Sequence, residues 1–185
     1  MIGVTELRKG VTFEMDGQIY KVIEYSHNKP GRGSATIRTK IRNLRSGAIN
    51  ERTFISGDRV QDIRLDHAEV QYMYNDGDLF YFMNTETYEQ PALSREALGD
   101  TVKYLIDGLV LELSTYEGEP IDIEVPITVD MEVVEAEPGF KGDTAQGATK
   151  KVTLETGLTI NAPLFVEVGD KIRVDTRSDS YQTRV

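Results

Sequence analysis

The sequence predicts a mainly β protein made of three small β-barrel domains, an SH3-like barrel followed by two OB-like barrels. Three observations lead there. Short runs rich in Val, Ile, Thr, Tyr and Phe recur along all 185 residues, bounded by Gly, Asn, Asp or Pro turn chemistry. Only one stretch, residues 94–105, carries a helical period. The formal charge also divides the chain, with net +5 over residues 1–64, −12 over 65–126 and −3 over 127–185, within a whole-chain value of −10. These three segments are taken as the domains, with Pro126 at the second boundary.

The first segment is all short strands. Residues 11–13 precede an Asp16-Gly17 turn, runs 19–25 and 35–44 flank a Gly-rich tip, Ser46-Gly47 turns into 52–54, and Ser56-Gly57-Asp58 leads into 60–63. Five strands closing into an SH3-like barrel would bury Val11, Phe13, Ile19, Val22, Ile37 and Ile41. The second segment opens with two aromatic-rich runs, 69–74 and 79–83, separated by Asn75-Asp76-Gly77, a strong hairpin signal. A helix follows over 94–105, with Ser94 as its cap, Ala97, Leu98, Val102 and Leu105 on one face, and Gly99 weakening its middle. Strands return at 109–113 and 121–125, an OB-like order. The third segment predicts strands at 131–136, 152–154, 158–160, 164–166, 171–174 and 181–184, with a long Gly-rich loop over 138–147. That is a second OB-like barrel without the helix.

Positive charge is concentrated in one place. Lys29, Arg32, Arg38, Lys40, Arg42 and Arg45 fall in a window, residues 25–50, that holds no Asp or Glu. The window is a hairpin whose tip carries Lys29-Pro30-Gly31-Arg32-Gly33. On the returning strand Thr36, Arg38, Lys40 and Arg42 share one face and Ala35, Ile37, Thr39 and Ile41 the other, so one face is cationic and one can pack. Same-face residues lie roughly 6.5–7 Å apart, a spacing that can follow successive phosphates. Arg32 between two glycines has little bulk beside it and can enter a narrow place. An acidic total therefore does not exclude an RNA partner.

Other function classes find little support. There is no Cys, so neither a disulfide framework nor a thiolate metal site is available, and no apolar run approaches a membrane span. A soluble cytoplasmic protein with no membrane partner is expected. His27 and His67 are the only histidines, no P-loop occurs, Gly31-Arg32-Gly33 lacks the third glycine of a dinucleotide fingerprint, and no spacing of acids singles out a metal or an acid/base pair. The reading is therefore of a protein that is not an enzyme and holds no metal or cofactor. Tyr72, Tyr74, Phe80, Tyr81 and Phe82 are assigned to packing rather than base stacking, since the segment around them is strongly acidic.

Several stretches together resemble the bacterial elongation factor P family: the KPGRG tip, the run 72–75, FMNTETYEQ over 82–90, the loop GFKGDTAQG over 139–147 and the ending VDTRSDSYQTRV. The resemblance runs from one end of the chain to the other. It implies an SH3-like first domain of KOW type, two OB domains and an elongated shape like a tRNA. It further implies a translation factor that binds the ribosome between the peptidyl and exit sites and stimulates peptide-bond formation at consecutive prolines. By the same resemblance Lys29, Pro30, Gly31, Arg32 and Gly33 reach towards the CCA end of the peptidyl-tRNA. Arg32 stands where members carry a modified Lys or Arg, which makes an Arg-modifying enzyme a candidate partner. Gly142, Asp143 and Thr144 match the loop that approaches the mRNA codon in the exit site, and Tyr181 and Arg184 match residues near tRNA backbone. A monomer is expected. Val152 and Ala162 depart from the family pattern by apolar exchanges. An elongation factor P-like paralogue, or another RNA-binding or chaperone protein with a basic hairpin, is the alternative. The relative that bears hypusine normally has two domains, so the third barrel argues against it.

Overall fold

A computed structural model of the chain describes residues 1–139 and 147–185; Gly142, Asp143 and Thr144 lie outside the described residues. The fold is mainly β, with three barrel-like sheets, as the sequence predicts. The first sheet holds β1 (Ile2–Gly3), β2 (Thr12–Met15), β3 (Gln18–Asn28), β4 (Thr36–Asn43), β5 (Ile49–Ile55) and β6 (Arg59–Asp62), in the order β1-β6-β2-β3-β4-β5. The second holds β7 (Asp66–Asn75), β8 (Leu79–Asn84), β9 (Ala92–Ser94), β10 (Val110–Tyr116) and β11 (Glu119–Glu124), in the order β11-β10-β7-β8-β9. The third holds β12 (Thr128–Ala136), β13 (Thr149–Leu154), β14 (Thr159–Pro163), β15 (Lys171–Asp175) and β16 (Ser180–Arg184), in the order β14-β13-β12-β15-β16.

The chain forms two compact units. One comprises Met1–Ala68 with Ala92–Gly99 and Leu113–Asp122. Its barrel core is Val4, Leu7, Phe13, Val22, Ile37, Ile41, Phe54 and Val60, one wall of which is the apolar face of β4. Ile37, Thr39, Ile41 and Asn43 are buried and alternate with Thr36, Arg38, Lys40 and Arg42, so the two-residue period read from the sequence is realised. Ile19 and Leu44 pack with Ile121, so the segment Leu113–Asp122 is held to the barrel by apolar contact. Gly47, at φ 73, allows a still closer approach: a Cβ there would collide with the backbone carbonyl of Glu96.

The other unit comprises Glu69–Pro91, Asp100–Glu112 and Ile123–Val185. One cluster in it joins Val129, Met131, Val133, Val152, Leu154, Ile172 and Val174 with buried Tyr104. Thr156 Oγ1 donates to the Lys103 carbonyl, and Lys103 Nζ reaches Asp179 Oδ2 at 2.7 Å. Tyr72, Phe80 and Phe82 are buried and pack ring against ring. Tyr74 is half exposed and stacks on Tyr81 at 4.7 Å between centroids.

Several expectations need correction. The helix over 94–105 is one turn of α-helix, α1 (Arg95–Leu98), followed by 3-10 turns over Gly99–Tyr104. Ser94 Oγ caps it by accepting from Ala97 N at 3.2 Å, but Gly99 takes φ 55 and ends the α-helical hydrogen bonding. Residues 164–166 form a turn rather than a strand, in which Val166 N donates to the Pro163 carbonyl. β1 and β9 have too few residues to leave a periodic pattern, and the first sheet gains a sixth strand from β1.

Gly47→Ala meets both a left-handed φ and a backbone neighbour, whereas Gly57, at φ 114, has open space around it. Urea denaturation should therefore show a loss of about 3 kcal/mol for Gly47→Ala and about 1 kcal/mol for Gly57→Ala.

Candidate nucleic-acid interface

The basic hairpin is built by β3 and β4, paired from Tyr20↔Asn43 out to Asn28↔Thr36. Beyond them Lys29, Pro30, Gly31, Arg32, Gly33 and Ser34 are all exposed. Gly33 takes φ 107 and so turns the chain where an L side chain would be strained. Gly31 does not adopt positive φ; it contributes only absence of bulk, with no atom within 4 Å of where a Cβ would stand. Ser26, His27 and Asn28 are exposed as well, so the distal strand ends and the tip stand clear of the barrel core.

The six cations of this window fall into two groups. Lys29, Arg32 and Arg38 are exposed, and none of their side chains has a hydrogen-bond or ion-pair partner among the described residues. Lys40, Arg42 and Arg45 are all engaged. Lys40 Nζ lies 3.3 Å from Glu24 Oε1 in an open surface pair, which contributes little and is screened by salt. Arg45 makes a forked contact with Glu119, Nε to Oε1 at 3.3 Å and Nη2 to Oε2 at 3.0 Å. Arg42 is the most enclosed. Its Nη2 donates to the Ala97 carbonyl, and its Nη1 lies 3.7 Å from Asp122 Oδ1.

Asp122, only 4% exposed, also receives Lys21 Nζ on Oδ2 at 3.0 Å. One carboxylate thus joins two basic strands, Lys21 from β3 and Arg42 from β4. The ladder of Arg38, Lys40 and Arg42 therefore shares a face of β4, while its charge is free only at the outer end. Arg42 is turned to a structural use because the surrounding backbone and carboxylate replace the water it leaves.

Sequence reasoning missed Asp122 and Glu119. No sequence signal marked Asp122, because Ile121-Asp122-Ile123 reads as ordinary alternation with the acid outward; in the structure all three are buried in succession, and a buried acid needs a partner. The acidic middle segment supplies the anions, Asp122 and Glu119, that pair with the cations at the base of the hairpin.

At the other end of the chain, Tyr181 is half-buried against the third sheet's core and Arg184 is exposed. Arg184 Nη1 lies 3.6 Å from Asp170 Oδ2, and its guanidinium sits over the Phe165 ring at 5.3 Å. The turn that brings β16 back is fastened by Asp175, 5% exposed, whose carboxylate accepts from Arg177 Nε at 3.0 Å, Arg177 Nη2 at 2.6 Å, Arg177 N at 2.9 Å and Gln182 Nε2 at 3.1 Å. The Arg177 side chain, followed by the Arg177 N–H, holds this carboxyl down to about 2. Among the described residues no group of three or more His, Cys, Asp or Glu is placed to hold a metal, and no helix is long and apolar enough to cross a membrane.

Comparison with known proteins finds three family models matched along the chain. Residues 3–60 match the model of the elongation factor P KOW-like domain, residues 65–123 the elongation factor P OB domain, and residues 129–184 the elongation factor P C-terminal domain. The chain is 52% identical over 184 residues to elongation factor P of Moorella thermoacetica, covering 100% of both proteins. It is 48% identical over 185 residues to elongation factor P of a Thermoanaerobacter species, again covering 100% of each. Among solved structures it is similar to eukaryotic translation initiation factor 5A from Methanococcus jannaschii, at 21% identity and a TM-score of 0.49, over 68% of this chain and 90% of that one.

Two outcomes follow from the site geometry. Arg42→Gln should lower stability by about 1–3 kcal/mol in denaturant titration, through the lost contacts to Asp122 and Ala97, whereas Arg38→Gln should leave stability within about 0.5 kcal/mol. Asp175 titrates lower in the folded chain than in the unfolded one, so its stabilisation is complete above the ordinary carboxylate pKa of about 4 and is lost as pH falls through about 2. Asp175→Asn should flatten the pH dependence of the melting temperature in that window.

Proposed function

The chain belongs to the elongation factor P family, and from that premise we propose that it binds the ribosome between the peptidyl and exit sites and relieves stalling at consecutive prolines. The observation that carries this reading is the outer hairpin, where Lys29, Arg32 and Arg38 are exposed and unpaired among the described residues of a chain with net charge −10. Unpaired cations on a stiff two-stranded arm suit phosphate oxygens, because binding releases counterions without first breaking an internal ion pair.

Proline is a constrained nucleophile, so the deficit at a proline run is one of positioning, and an arm braced against the peptidyl-tRNA end supplies position without supplying a base. In this proposal Arg32 makes the innermost contact, to phosphate or ribose. Its guanidinium stays charged at any working pH and offers a planar fork of donors. Lys29, Pro30, Gly31 and Gly33 present it, and Arg38, the exposed cation behind the tip, holds tRNA backbone. Gly142, Asp143 and Thr144 are proposed for the exit-site codon, with Asp143 as a hydrogen-bond acceptor since its charge repels phosphate, and Tyr181 and Arg184 for tRNA backbone. The domains run over 1–64, 65–126 and 127–185, the chain acts as a cytoplasmic monomer without a cofactor, and an enzyme that extends Arg32 finds its target open on every side.

Arg32→Ala should abolish rescue of proline-run synthesis in a reconstituted translation assay while ribosome binding falls no more than about tenfold. Arg32→Lys should also be impaired. Full rescue by Arg32→Ala would remove the tip from the mechanism, and the intact mass of protein from its native cells reads out any group added to Arg32.

A further inference from the structure

The connection between β8 and β9 contains a residue that the backbone geometry disfavours. Hairpin loops place a residue in the left-handed region, where Gly or Asn is usual because other side chains are strained there. Here that residue is Tyr88, at φ 61. The other non-glycine residues with positive φ among those described are Asp16, Glu117 and Asp179, of which the first two open Asp-Gly and Glu-Gly turns. Tyr88 gains no packing in return, since its side chain is 71% exposed.

The loop is nonetheless tightly specified. Asn84 Oδ1 accepts from Glu86 N at 2.9 Å and Thr87 N at 3.0 Å, Tyr88 N donates to the Asn84 carbonyl at 3.0 Å, and Asn84 N donates to the Glu89 carbonyl at 2.8 Å. Thr85 Oγ1 ties the loop to Glu69 on β7 at 3.2 Å. A fold that holds a bulky aromatic ring in solvent at a strained φ gives up stability that Asn would restore.

The charge around the ring decides its partner. Residues 65–94 contain no Lys or Arg and six Asp or Glu; Glu89 follows Tyr88 directly and Glu86 stands two residues before it. A phosphate approaching this loop meets repulsion, whereas a cation meets an aromatic face and carboxylates together. We propose that the Tyr88 loop is a docking knob for a lysine- or arginine-rich protein surface, with a cation lying over the exposed ring and Glu86 and Glu89 beside it. The inference rests on the ribosomal reading above: the hairpin would meet RNA, and this loop would meet basic protein.

The test uses the full chain and ribosomes. The variant Tyr88→p-benzoylphenylalanine, irradiated on the ribosome, should form an adduct with a ribosomal protein. Tyr88→Asn should bind about tenfold more weakly in co-sedimentation while melting at the same or a higher temperature than the parent. Glu86→Gln combined with Glu89→Gln should weaken binding as well. An adduct confined to ribosomal RNA, tighter binding by the double Gln variant, parent-like binding by Tyr88→Asn, or a lower melting temperature for Tyr88→Asn would overturn the proposal. If those outcomes occur while the parent still co-sediments, this inference alone fails; a parent chain that does not co-sediment removes the ribosomal reading and this one with it.

Discussion

The carboxylate of Asp122, enclosed between Lys21 and Arg42, is the contact on which the arrangement of the basic hairpin depends. Burying a carboxylate against two partly buried cations is costly, and a well-packed apolar substitute often stabilises a protein as well or better, so the cluster is not explained by stability alone. It does specify position. Lys21 and Arg42 stand opposite one another on β3 and β4, and a single anion that satisfies both fixes where the segment ending at Asp122 must lie. Arg42 adds the Ala97 carbonyl, and Gly47 admits the Glu96 carbonyl where a Cβ would block it. These contacts gather Ala92–Gly99 and Leu113–Asp122 against the first barrel, which is why the compact units do not follow the order of the chain.

The cluster also divides the hairpin electrostatically. Charges at its base are neutralised at short range, while the side chains of Lys29, Arg32 and Arg38 are exposed and unpaired among the described residues. Net charge describes such a protein poorly. At physiological ionic strength, exposed charges further apart than about 8 Å are largely screened from one another, so an approaching polyanion responds to the nearest cations rather than to the total of −10. The same screening lets an acidic loop such as Glu86–Glu89 coexist on one chain with a basic arm.

What the sequence made legible is what local chemistry determines. Asp16-Gly17 turns β2 into β3 with both residues at positive φ, and Asp76 closes the β7–β8 hairpin by accepting from Leu79 N at 2.8 Å. Alternation along β4 correctly separated the cationic face from the packed one. The sequence could not reveal which cations on that face remain free, because the acid that engages Arg42 lies 80 residues away and reaches it only through folding. Gly99 was visible as a weak point, yet only the observed φ of 55 converts a weakened helix into a terminated one. Residues 164–166 read as strand because Leu, Phe and Val favour it, but Pro163 ends the ladder and Phe165 is left exposed.

A projecting arm also faces an entropic constraint. Ordering a backbone residue costs about 1–2 kcal/mol, and a tip that stands clear of its own barrel cannot offset that cost by packing on it. Pro30 limits the problem on one side, since its φ is fixed in any state of the chain. Gly33 works the other way: it reaches a φ of 107 without strain, but its backbone freedom adds to the entropy that ordering must overcome. Behind the tip, β3 and β4 are registered as far as Asn28 and Thr36, and Ile37 remains buried opposite exposed His27. Rigidity is thus carried outward by backbone hydrogen bonds rather than by a core. That leaves the side chains at the end of the arm exposed, and Arg32 has a glycine on either side with open space around each.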